Sequence, residues 1–375
     1  MSTPVPIRFG LIGAGRVARD FATGLSAVPD VAVSAVWSRS ADRANQFVSL
    51  FPGTRRAVDT IDLVDASDVD VVYVATPHQR HADDSLLALR HGKPVLCEKP
   101  FALSAAEARA VVKEARDREL FCMEAMWMRC LPAIHRAKEL VDQGAIGEPR
   151  MLFADFGAAT PYDPDSRFFD PEQGGGALLD RGVYAVSLAH LLLGTPDSVV
   201  GLSSPAPTGV DAQMGAVLHF PHQRIAVIAA ALGTTTPSAA VITGTSGQLH
   251  LAAPFYCPSR LSIAQTRFPA AEDSDAVSLQ ERTAGALKRT RIGGEVVRAA
   301  KAVLRRRTVE RFPMGGNGYG YEAAEVVRCL RSGLTESPMM PLDDSIAVME
   351  TLDILRSSSV RAQPRTPTDG TQGLG

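Results

Sequence analysis

The sequence is poor in aromatic residues, nearly neutral, and without a long apolar run. Aromatic residues make up 6% of its 375 residues, and two of them are tryptophan. The formal net charge is −2 at pH 7, which provides no overall attraction to nucleic acid or to anionic lipid. No stretch approaches the roughly 20 apolar residues that a membrane-spanning helix needs. We therefore expect no nucleic-acid partner and no membrane partner.

Cysteine is also scarce, with five residues and no Cys-x-x-Cys pair. This usage is typical of reduced, mostly buried thiols, so we expect a cytoplasmic protein. The N-terminus has neither the basic start nor the apolar run of a secretory signal. The histidine pairs His78 with His81 and His219 with His222 have no nearby cluster of Cys, Asp or Glu at ligand spacing. No metal site is predicted.

The first third of the chain alternates short apolar strands with segments of helical periodicity. Residues 7–12, 31–37, 69–75 and 95–97 have the apolar pattern of strands. Strand–helix–strand alternation predicts a doubly wound parallel sheet with helices on both faces. The predicted fold class is therefore α/β, with a Rossmann domain over residues 1–125.

After about residue 125, longer alternating segments follow one another with few helices between them. This pattern is typical of antiparallel sheets, so we predict an α+β domain with a large, mostly antiparallel open sheet over residues 126–356. Residues 357–375 are rich in Ser, Pro, Thr and Gly, and we predict a disordered tail there.

Residues 288–311 depart from the rest of the chain, with nine basic residues against two acidic ones. A solvated surface helix is the favoured interpretation, and an RNA- or membrane-binding patch is the alternative. No aromatic residue lies between the basic ones, which argues against stacking on nucleic acid. The role of the segment stays open.

A Gly-x-Gly-x-x-Ala motif over residues 13–18 follows the first strand and opens the first helix. Gly13 permits the tight turn, and Gly15 lets the backbone approach a pyrophosphate. The phosphates would then lie on the first amides of the helix, which includes Arg16 and Val17. In this strand–turn–helix context the motif predicts a dinucleotide site.

The end of the second strand indicates which dinucleotide is bound. An acidic residue there usually binds the ribose 2′-hydroxyl of NAD, whereas an arginine accommodates the 2′-phosphate of NADP. This strand is followed by Ser38 and Arg39, with no carboxylate before Asp42. We therefore predict NADP, with NAD possible if Arg39 is a solvated loop residue.

Glu98, Lys99 and Pro100 follow the strand at 95–97, at the edge where open α/β sheets bind ligands. Further along, three glycines precede a predicted helix that carries Asp180 and Tyr184 four residues apart, on one face. A nearby ammonium lowers the pKa of a tyrosine from its usual value of about 10. Lys99 and Tyr184 would thus form an acid/base pair. A core tyrosine is the simpler interpretation of Tyr184 taken alone.

These motifs together resemble the Gfo/Idh/MocA family of oxidoreductases. The segments that carry the resemblance are residues 13–18, 75–81, 92–100 and 174–184. The similarity spans about residues 5–356, with 267–312 fitting poorly. Within the family, residues 124–132 and a tyrosine rather than a histidine at 184 are most similar to the branch of dihydrodiol dehydrogenases and NADP-dependent xylose dehydrogenases.

The resemblance implies that Lys99 and Tyr184 are the catalytic pair and that Asp180 binds substrate or orients the pair. Three other implied pocket residues are the apolar Trp127 and Phe156 and the positively charged Arg167. It also implies that residues 126–356 bind the substrate and form oligomers. Family members commonly pair through the outer face of the C-terminal sheet, which implies a homodimer or a dimer of dimers.

On the cofactor side, the resemblance implies that Glu98 and the backbone of Thr76 and Pro77 hold the nicotinamide ribose. For His81, a place beside the nicotinamide and a structural role at a helix N-terminus both stay open. Arg181 is unusual at a position where the family often has an apolar residue. We expect it to lie off the face that Asp180 shares with Tyr184.

The leading hypothesis is an NADP-dependent dehydrogenase that transfers a hydride from a hydroxyl carbon of a cyclic diol or a pyranose. The competing hypothesis is a non-catalytic, NADP-sensing regulator of the same fold. The presence of both Lys99 and Tyr184 argues against the regulator, because a sensor needs neither. A third hypothesis, an enzyme that keeps its cofactor permanently bound, predicts nucleotide that copurifies with the protein.

Overall fold

The computed structural model describes residues 5–265, 307–358 and 360–361. Its first sheet has six parallel strands in the order β3-β2-β1-β4-β5-β6. The strands are β1 (Ile7–Ile12), β2 (Val31–Trp37), β3 (Arg55–Arg56), β4 (Val71–Val74), β5 (Val95–Glu98) and β6 (Cys122–Ala125). Around them lie α1 (Arg16–Leu25), α2 (Ala41–Leu50), α3 (Thr60–Val64), α4 (His81–Arg90) and α5 (Ala105–Asp117). The predicted doubly wound parallel sheet is confirmed.

The strand order reverses between β1 and β4, and this reversal creates the ligand crevice typical of the fold. Ile12 pairs with Val74, so the turns that follow β1 and β4 are adjacent. Ser104 caps α5 by accepting a hydrogen bond from the Glu107 N–H at 3.2 Å. The Glu107 carboxylate in turn accepts from the Leu103 N–H at 2.9 Å, so Ser104 and Glu107 both bind backbone N–H groups at the start of α5.

The second sheet has nine strands in the order β14-β13-β12-β11-β7-β10-β9-β8-β15. These are β7 (Pro149–Gly157), β8 (Ser198–Pro205), β9 (Asp211–Phe220), β10 (Arg224–Ala231), β11 (Ala240–Gly244), β12 (Gly247–Leu251), β13 (Arg260–Gln265), β14 (Arg307–Arg311) and β15 (Val360–Arg361). The pairs β7–β10 and β8–β15 are parallel and the others are antiparallel. The predicted mostly antiparallel sheet is confirmed.

Two segments differ from their sequence-based interpretation. Residues 307–311, expected in a surface helix, form β14 because β13 offers them an antiparallel partner. The rest of the basic segment, residues 288–306, lies outside the described residues. Near the C-terminus, the last helix continues to Ser358 and residues 360–361 pair with β8. Residues 362–375 lie outside the described residues, and the domain boundary at residue 125 stays a prediction.

The helices that follow β6 connect the two sheets. They are α6 (Pro132–Asp142), α7 (Val183–Leu193), α8 (Tyr319–Arg331) and α9 (Leu342–Ser358), with a π-helical turn over Leu178–Gly182 directly before α7. Helix α8 packs against α1, and α9 packs against α5 and α7. The Cys122 N–H of edge strand β6 donates to the Thr335 carbonyl at 3.0 Å. Thus the segment between α8 and α9 contacts the edge of the first sheet.

The carboxyl group of Glu124, in β6, is buried, and burial raises its pKa to about 7. The folded chain therefore holds this proton more tightly than the unfolded chain, in which the pKa is about 4.5. The resulting stabilisation is complete below about pH 4.5 and is lost as the pH rises through about 7.

We expect the free energy of unfolding of the natural protein, relative to Glu124→Gln, to fall by up to about 3 kcal/mol over this pH range. The glutamine is a control of similar shape that does not titrate. Chemical denaturation of both proteins at a series of pH values measures the difference. A difference independent of pH would contradict the raised pKa.

Candidate active site

The turn between β1 and α1 has the geometry expected for a pyrophosphate site. Gly13 has φ of 115°, and a Cβ there would overlap the Ala75 carbonyl oxygen, so glycine is required. Gly15 is the N-cap of α1 with no side-chain cap, and a Cβ on it would meet nothing within 4 Å. The first amides of α1 are thus available to an anion at the positive end of the helix dipole. These residues fit the predicted dinucleotide.

The predicted NADP-selecting residues lie beside this turn. Ile12 pairs with Trp37, and the Gly13 N–H donates to the Trp37 carbonyl at 2.8 Å, so Ser38 and Arg39 follow at the same edge. Arg39 is exposed. Of the first residues of α1, Arg16 is also exposed and Val17 is half-buried. Two guanidinium groups therefore lie near the edge where a 2′-phosphate would bind.

His81, Thr76 and Pro77 occupy the segment after β4. The His81 ring nitrogens lie 2.9 Å from the Thr76 carbonyl oxygen and 2.7 Å from that of Pro100. The Thr76 hydroxyl donates to Asp84 at 2.9 Å, and the Pro77 carbonyl accepts from the Arg80 N–H at 2.9 Å, so the carbonyls of both Thr76 and Pro77 have partners within the chain. Burial lowers the pKa of His81. His81 thus links the segments that follow β4 and β5, and its place beside the nicotinamide stays a prediction.

Glu98 is directed into the protein, towards a buried tyrosine that the sequence analysis did not identify. The Tyr73 hydroxyl donates to Glu98 Oε1 at 2.5 Å, and the Lys99 N–H donates to Oε2 at 3.1 Å. Burial raises the pKa of Glu98. Glu322 of α8 is also buried, and its pKa is raised well above the usual value by burial and by the charge of Glu98. Neither oxygen of Glu322 has a hydrogen-bond partner in the described part of the chain.

The predicted catalytic residues meet between the two sheets. Lys99 Nζ donates to the Asp180 carbonyl oxygen at 2.9 Å and lies 3.4 Å from Asp180 Oδ1. The same ammonium lies 4.9 Å from the centroid of the Tyr184 ring. Trp127 Nε1 donates to the Tyr184 hydroxyl at 3.0 Å. The structure therefore brings together four residues that the sequence predicts for one site.

The expected effect of Lys99 on Tyr184 is absent from this arrangement. Burial raises the pKa of Tyr184 well above 10, because a phenolate would lose its hydration there. The Lys99 ammonium lies over the ring face rather than at the hydroxyl, and Asp180 holds it. Tyr184 is therefore a protonated hydroxyl at neutral pH, which is the form that donates a proton.

Asp180 is the electrostatic centre of the site. Its Oδ1 accepts a hydrogen bond from Arg167 Nη1 at 3.1 Å, and its Oδ2 lies 3.7 Å from Arg181 Nε. Burial alone would raise the pKa of Asp180, but the charges of Lys99 and Arg167 hold it well below its usual range. Asp180 is therefore ionised at every pH at which the protein would work.

Arg181, expected off the face that Asp180 shares with Tyr184, lies beside Asp180, with its Nε 3.7 Å from Asp180 Oδ2. The π-helical turn over Leu178–Gly182 replaces the regular α-helix on which that expectation rested. The Arg181 guanidinium is buried and donates to the carbonyl oxygens of Ala158 and Ala231 and to the Thr160 hydroxyl. It is part of the site, anchored to the ends of β7 and β10.

Aromatic rings form one wall of the site. Phe156 stacks on Tyr256, with ring centroids 4.3 Å apart, and meets the Tyr184 ring edge-on at 5.7 Å. Trp127 stacks on Tyr319, with centroids 5.3 Å apart. Tyr256 and Tyr319 belong to segments without a recognisable motif, so the sequence contains no signal for them.

The segment of three glycines at residues 174–176, before the π-helical turn, is hydrogen-bonded or packed on two sides. The Leu178 N–H donates to Asp211 Oδ2 at 2.7 Å, and a Cβ on Gly176 would overlap the Asp211 carboxylate. From the first sheet, His78 Nδ1 lies 3.1 Å from the Gly174 carbonyl oxygen. Asp211 and His78 thus position the segment that carries Asp180, and sequence reasoning assigned neither of them to the site.

The described residues contain neither a metal-binding group of three or more His, Cys, Asp or Glu residues nor a helix able to span a membrane.

Two family models match the chain. One, described as an oxidoreductase family with an NAD-binding Rossmann fold, matches residues 7–126, and the GFO/IDH/MocA C-terminal domain matches residues 134–250. Trans-1,2-dihydrobenzene-1,2-diol dehydrogenase of Oryctolagus cuniculus is 32% identical over 93% of this chain and 97% of that protein. The Homo sapiens protein of the same name is 30% identical over 94% and 96%.

Solved structures agree with this assignment. A 3-ketoreductase from Actinomadura kijaniata, in complex with NADP and TDP-benzene, is 26% identical with a TM-score of 0.76 over 95% of this chain and 98% of that chain. An aldose-aldose oxidoreductase from Caulobacter crescentus has the same fold at 21% identity, with a TM-score of 0.76 over 94% and 97%. The predicted family, a nicotinamide cofactor and a dehydrogenase that acts on CH–OH groups are thereby confirmed. The chain belongs to the Gfo/Idh/MocA family of oxidoreductases.

Proposed function

We propose that the protein is an NADP-dependent dehydrogenase that acts on a hydroxyl carbon of a cyclic diol or a pyranose. The contact of the Lys99 ammonium with both Asp180 and the Tyr184 ring carries this proposal. It places a cation, a carboxylate and a phenol at the carboxyl end of β5, where this fold binds its ligands.

NADP, when bound, supplies or accepts the hydride. Tyr184, a protonated hydroxyl in the free protein, donates a proton to the substrate oxygen when a carbonyl is reduced and receives it back in the reverse reaction, and the Lys99 ammonium supplies positive charge beside the phenol ring. Asp180 holds the Lys99 ammonium in place and, through it, the orientation of the pair. The aromatic wall of Trp127 and Phe156 packs against the ring of the substrate.

NADP is preferred to NAD in this proposal. Ser38 and Arg39 stand where an NAD site usually has a carboxylate, and Arg16 adds a second exposed cation. The 3-ketoreductase from Actinomadura kijaniata was solved in complex with NADP, which is consistent with this choice.

The test is turnover of the purified protein with NADP and with NAD, followed through the absorbance of the reduced nicotinamide. A panel of pyranoses and trans-cyclohexanediols probes oxidation, and the matching ketones and lactones probe reduction. Turnover faster with NADP supports the proposal. NADP binding without turnover in either direction would favour the non-catalytic regulator instead.

The outer face of the second sheet supports the expected homodimer or dimer of dimers. Phe153, Val227, Val217 and Val200 are successive partners across β7, β10, β9 and β8, so their side chains form one apolar row. Phe153 is 42% exposed, Val217 40% and Val200 60%. A row of exposed apolar residues on an open sheet is typical of a protein–protein interface.

We expect Val217→Lys to weaken this dimer at least about tenfold, because a two-fold interface buries the substituted residue twice. Val58→Lys is the matched control, since Val58 is 82% exposed and precedes α3 of the first domain. Sedimentation velocity over a range of concentrations measures both. A Val217→Lys protein that dimerises like the Val58→Lys control would show that the dimer interface lies elsewhere on the molecule.

We also propose a cytoplasmic location. All five cysteines are free thiols, and four of them are buried, which is typical of proteins in a reducing compartment.

A further inference from the structure

We propose that the substrate carries a carboxylate, so that the preferred substrate is a hydroxylated acid such as a sugar acid rather than a neutral diol or sugar. This inference rests on the proposed dehydrogenase function and narrows its substrate class. It follows from the charges and the hydrogen-bond donors of the site.

The site has more positive than negative charge. Lys99, Arg167 and Arg181 all lie within 3.7 Å of the single carboxylate of Asp180. Glu98, whose oxygens accept from Tyr73 and from a backbone N–H, adds a second carboxylate that interacts with Lys99 and Arg167, so three cations face two carboxylates. Partly buried cations without a counterion are unfavourable, and a bound anion would offset them.

The three cations differ in what they can offer a ligand. Arg181 is buried, and its donors are taken by two carbonyl oxygens, the Thr160 hydroxyl and Asp180. Arg167 uses only Nη1, on Asp180, and its side chain is 41% exposed. The Nε and Nη2 donors of Arg167 have no partner in the part of the chain that the structure describes. Arg167 is therefore the cation that is available to a substrate.

The Nε and Nη2 donors of Arg167 form the edge of the guanidinium group that binds a carboxylate through two parallel hydrogen bonds. Among the described residues, five arginines use that same edge, through Nε and Nη2, on a carboxylate. They are Arg8 on Asp70, Arg55 on Asp68, Arg116 on Glu336, Arg136 on Glu310 and Arg328 on Glu325. Arg167 presents the edge without the partner, beside the proposed catalytic pair.

The position of Arg167 suits a substrate of the size of one sugar ring. Its Nη1 and Lys99 Nζ bind the same oxygen of Asp180, at 3.1 and 3.4 Å. A carboxylate on Arg167 would thus place a hydroxyl carbon of the same small molecule near Lys99 and Tyr184. The Phe168 ring, whose centroid lies 4.1 Å from the guanidinium carbon, limits the directions in which Arg167 can turn away.

The test uses matched acid and neutral substrates: D-glucuronate with D-glucose, and D-galacturonate with D-galactose. Titration calorimetry on the NADP-loaded protein measures binding, and initial rates measure kcat/KM. Glucose 6-phosphate is included to distinguish a carboxylate from a phosphate. The variants are Arg167→Gln and, as a control, Arg109→Gln, which removes an exposed arginine of α5 that pairs with Glu350.

We expect at least one acid to bind about tenfold or more tightly than its neutral partner, as a charged hydrogen-bonded pair in a partly buried site would give. Arg167→Gln should reduce this ratio about tenfold, chiefly through Kd and KM. Arg109→Gln should leave the ratio unchanged. Added salt should lower the preference, because the site is partly exposed.

Equal binding of acids and neutral sugars would overturn the inference, as would an Arg167→Gln protein that loses affinity for both alike. A preference for the phosphate would overturn the assignment of a carboxylate. Turnover of neutral substrates without charge preference would refute the inference and leave the dehydrogenase standing. Preferential binding of the acid without turnover would support the inference and refute the dehydrogenase.

Discussion

Tyr184→Phe is expected to lower kcat by about 100- to 10,000-fold while NADP binding is kept, because removal of the hydroxyl removes the proposed acid/base group. Lys99→Met should cause a loss of similar size, since the Lys99 ammonium contacts both Asp180 and the Tyr184 ring. Stopped-flow or steady-state rates with the best substrate of the panel measure kcat. NADP affinity is measured separately by fluorescence titration.

Matched controls make this result specific. Tyr162→Phe removes the hydroxyl of a half-exposed tyrosine, and Lys113→Met removes an ammonium that pairs with Asp117 on the surface. Both should keep the activity of the natural protein. A Tyr184→Phe protein that retains a large part of its turnover would show that another group moves the proton.

Alanine substitutions of the two motif glycines are expected to have different effects, on stability at Gly13 and on NADP binding at Gly15. A Cβ on Gly13 would overlap the Ala75 carbonyl oxygen, and its φ of 115° strains any other residue. We expect Gly13→Ala to lower the free energy of unfolding by at least about 2 kcal/mol.

A Cβ on Gly15 meets no atom of the chain within 4 Å, and φ there is −75°. Gly15→Ala should therefore fold normally and bind NADP at least about tenfold more weakly, because the methyl group occupies the path of the pyrophosphate.

Denaturation and NADP titration of both glycine variants measure the two effects separately. Each variant is the control for the other, since the substitution is identical and the positions are two residues apart. If Gly15→Ala bound NADP like the natural protein, the phosphates would not lie on the first turn of α1.

The parts of the site that the sequence predicts are those encoded locally. Gly13 and Gly15 are set by a turn of a few residues, and Lys99 by the strand that precedes it. For these, a short segment contains both the geometry and the chemistry. The parallel sheet is predictable for the same reason, because each strand–helix unit has its own apolar pattern.

The parts that were missed depend on distant segments. Asp211 reaches the turn before α7 from β9, Glu322 approaches Glu98 from α8, and Tyr256 comes from the loop after β12. No sequence pattern near these residues predicts the contacts. The contact of Arg181 with Asp180 was missed for another reason: a π-helical turn shifts side-chain directions, and no residue pattern distinguishes it from an α-helix.

The packing of α8 on α1 and of α9 on α5 has a consequence for the synthesis of the protein. The strands of the first sheet leave the ribosome early, but the helices that cover α1 and α5 are among the last segments made. The apolar faces beneath them stay open to water, and to other chains, until translation is nearly finished. The nucleotide-binding half of the molecule is therefore the first to be synthesised and the last to have its apolar faces covered. A chain that stops before α8 would aggregate even though every strand of that half is present.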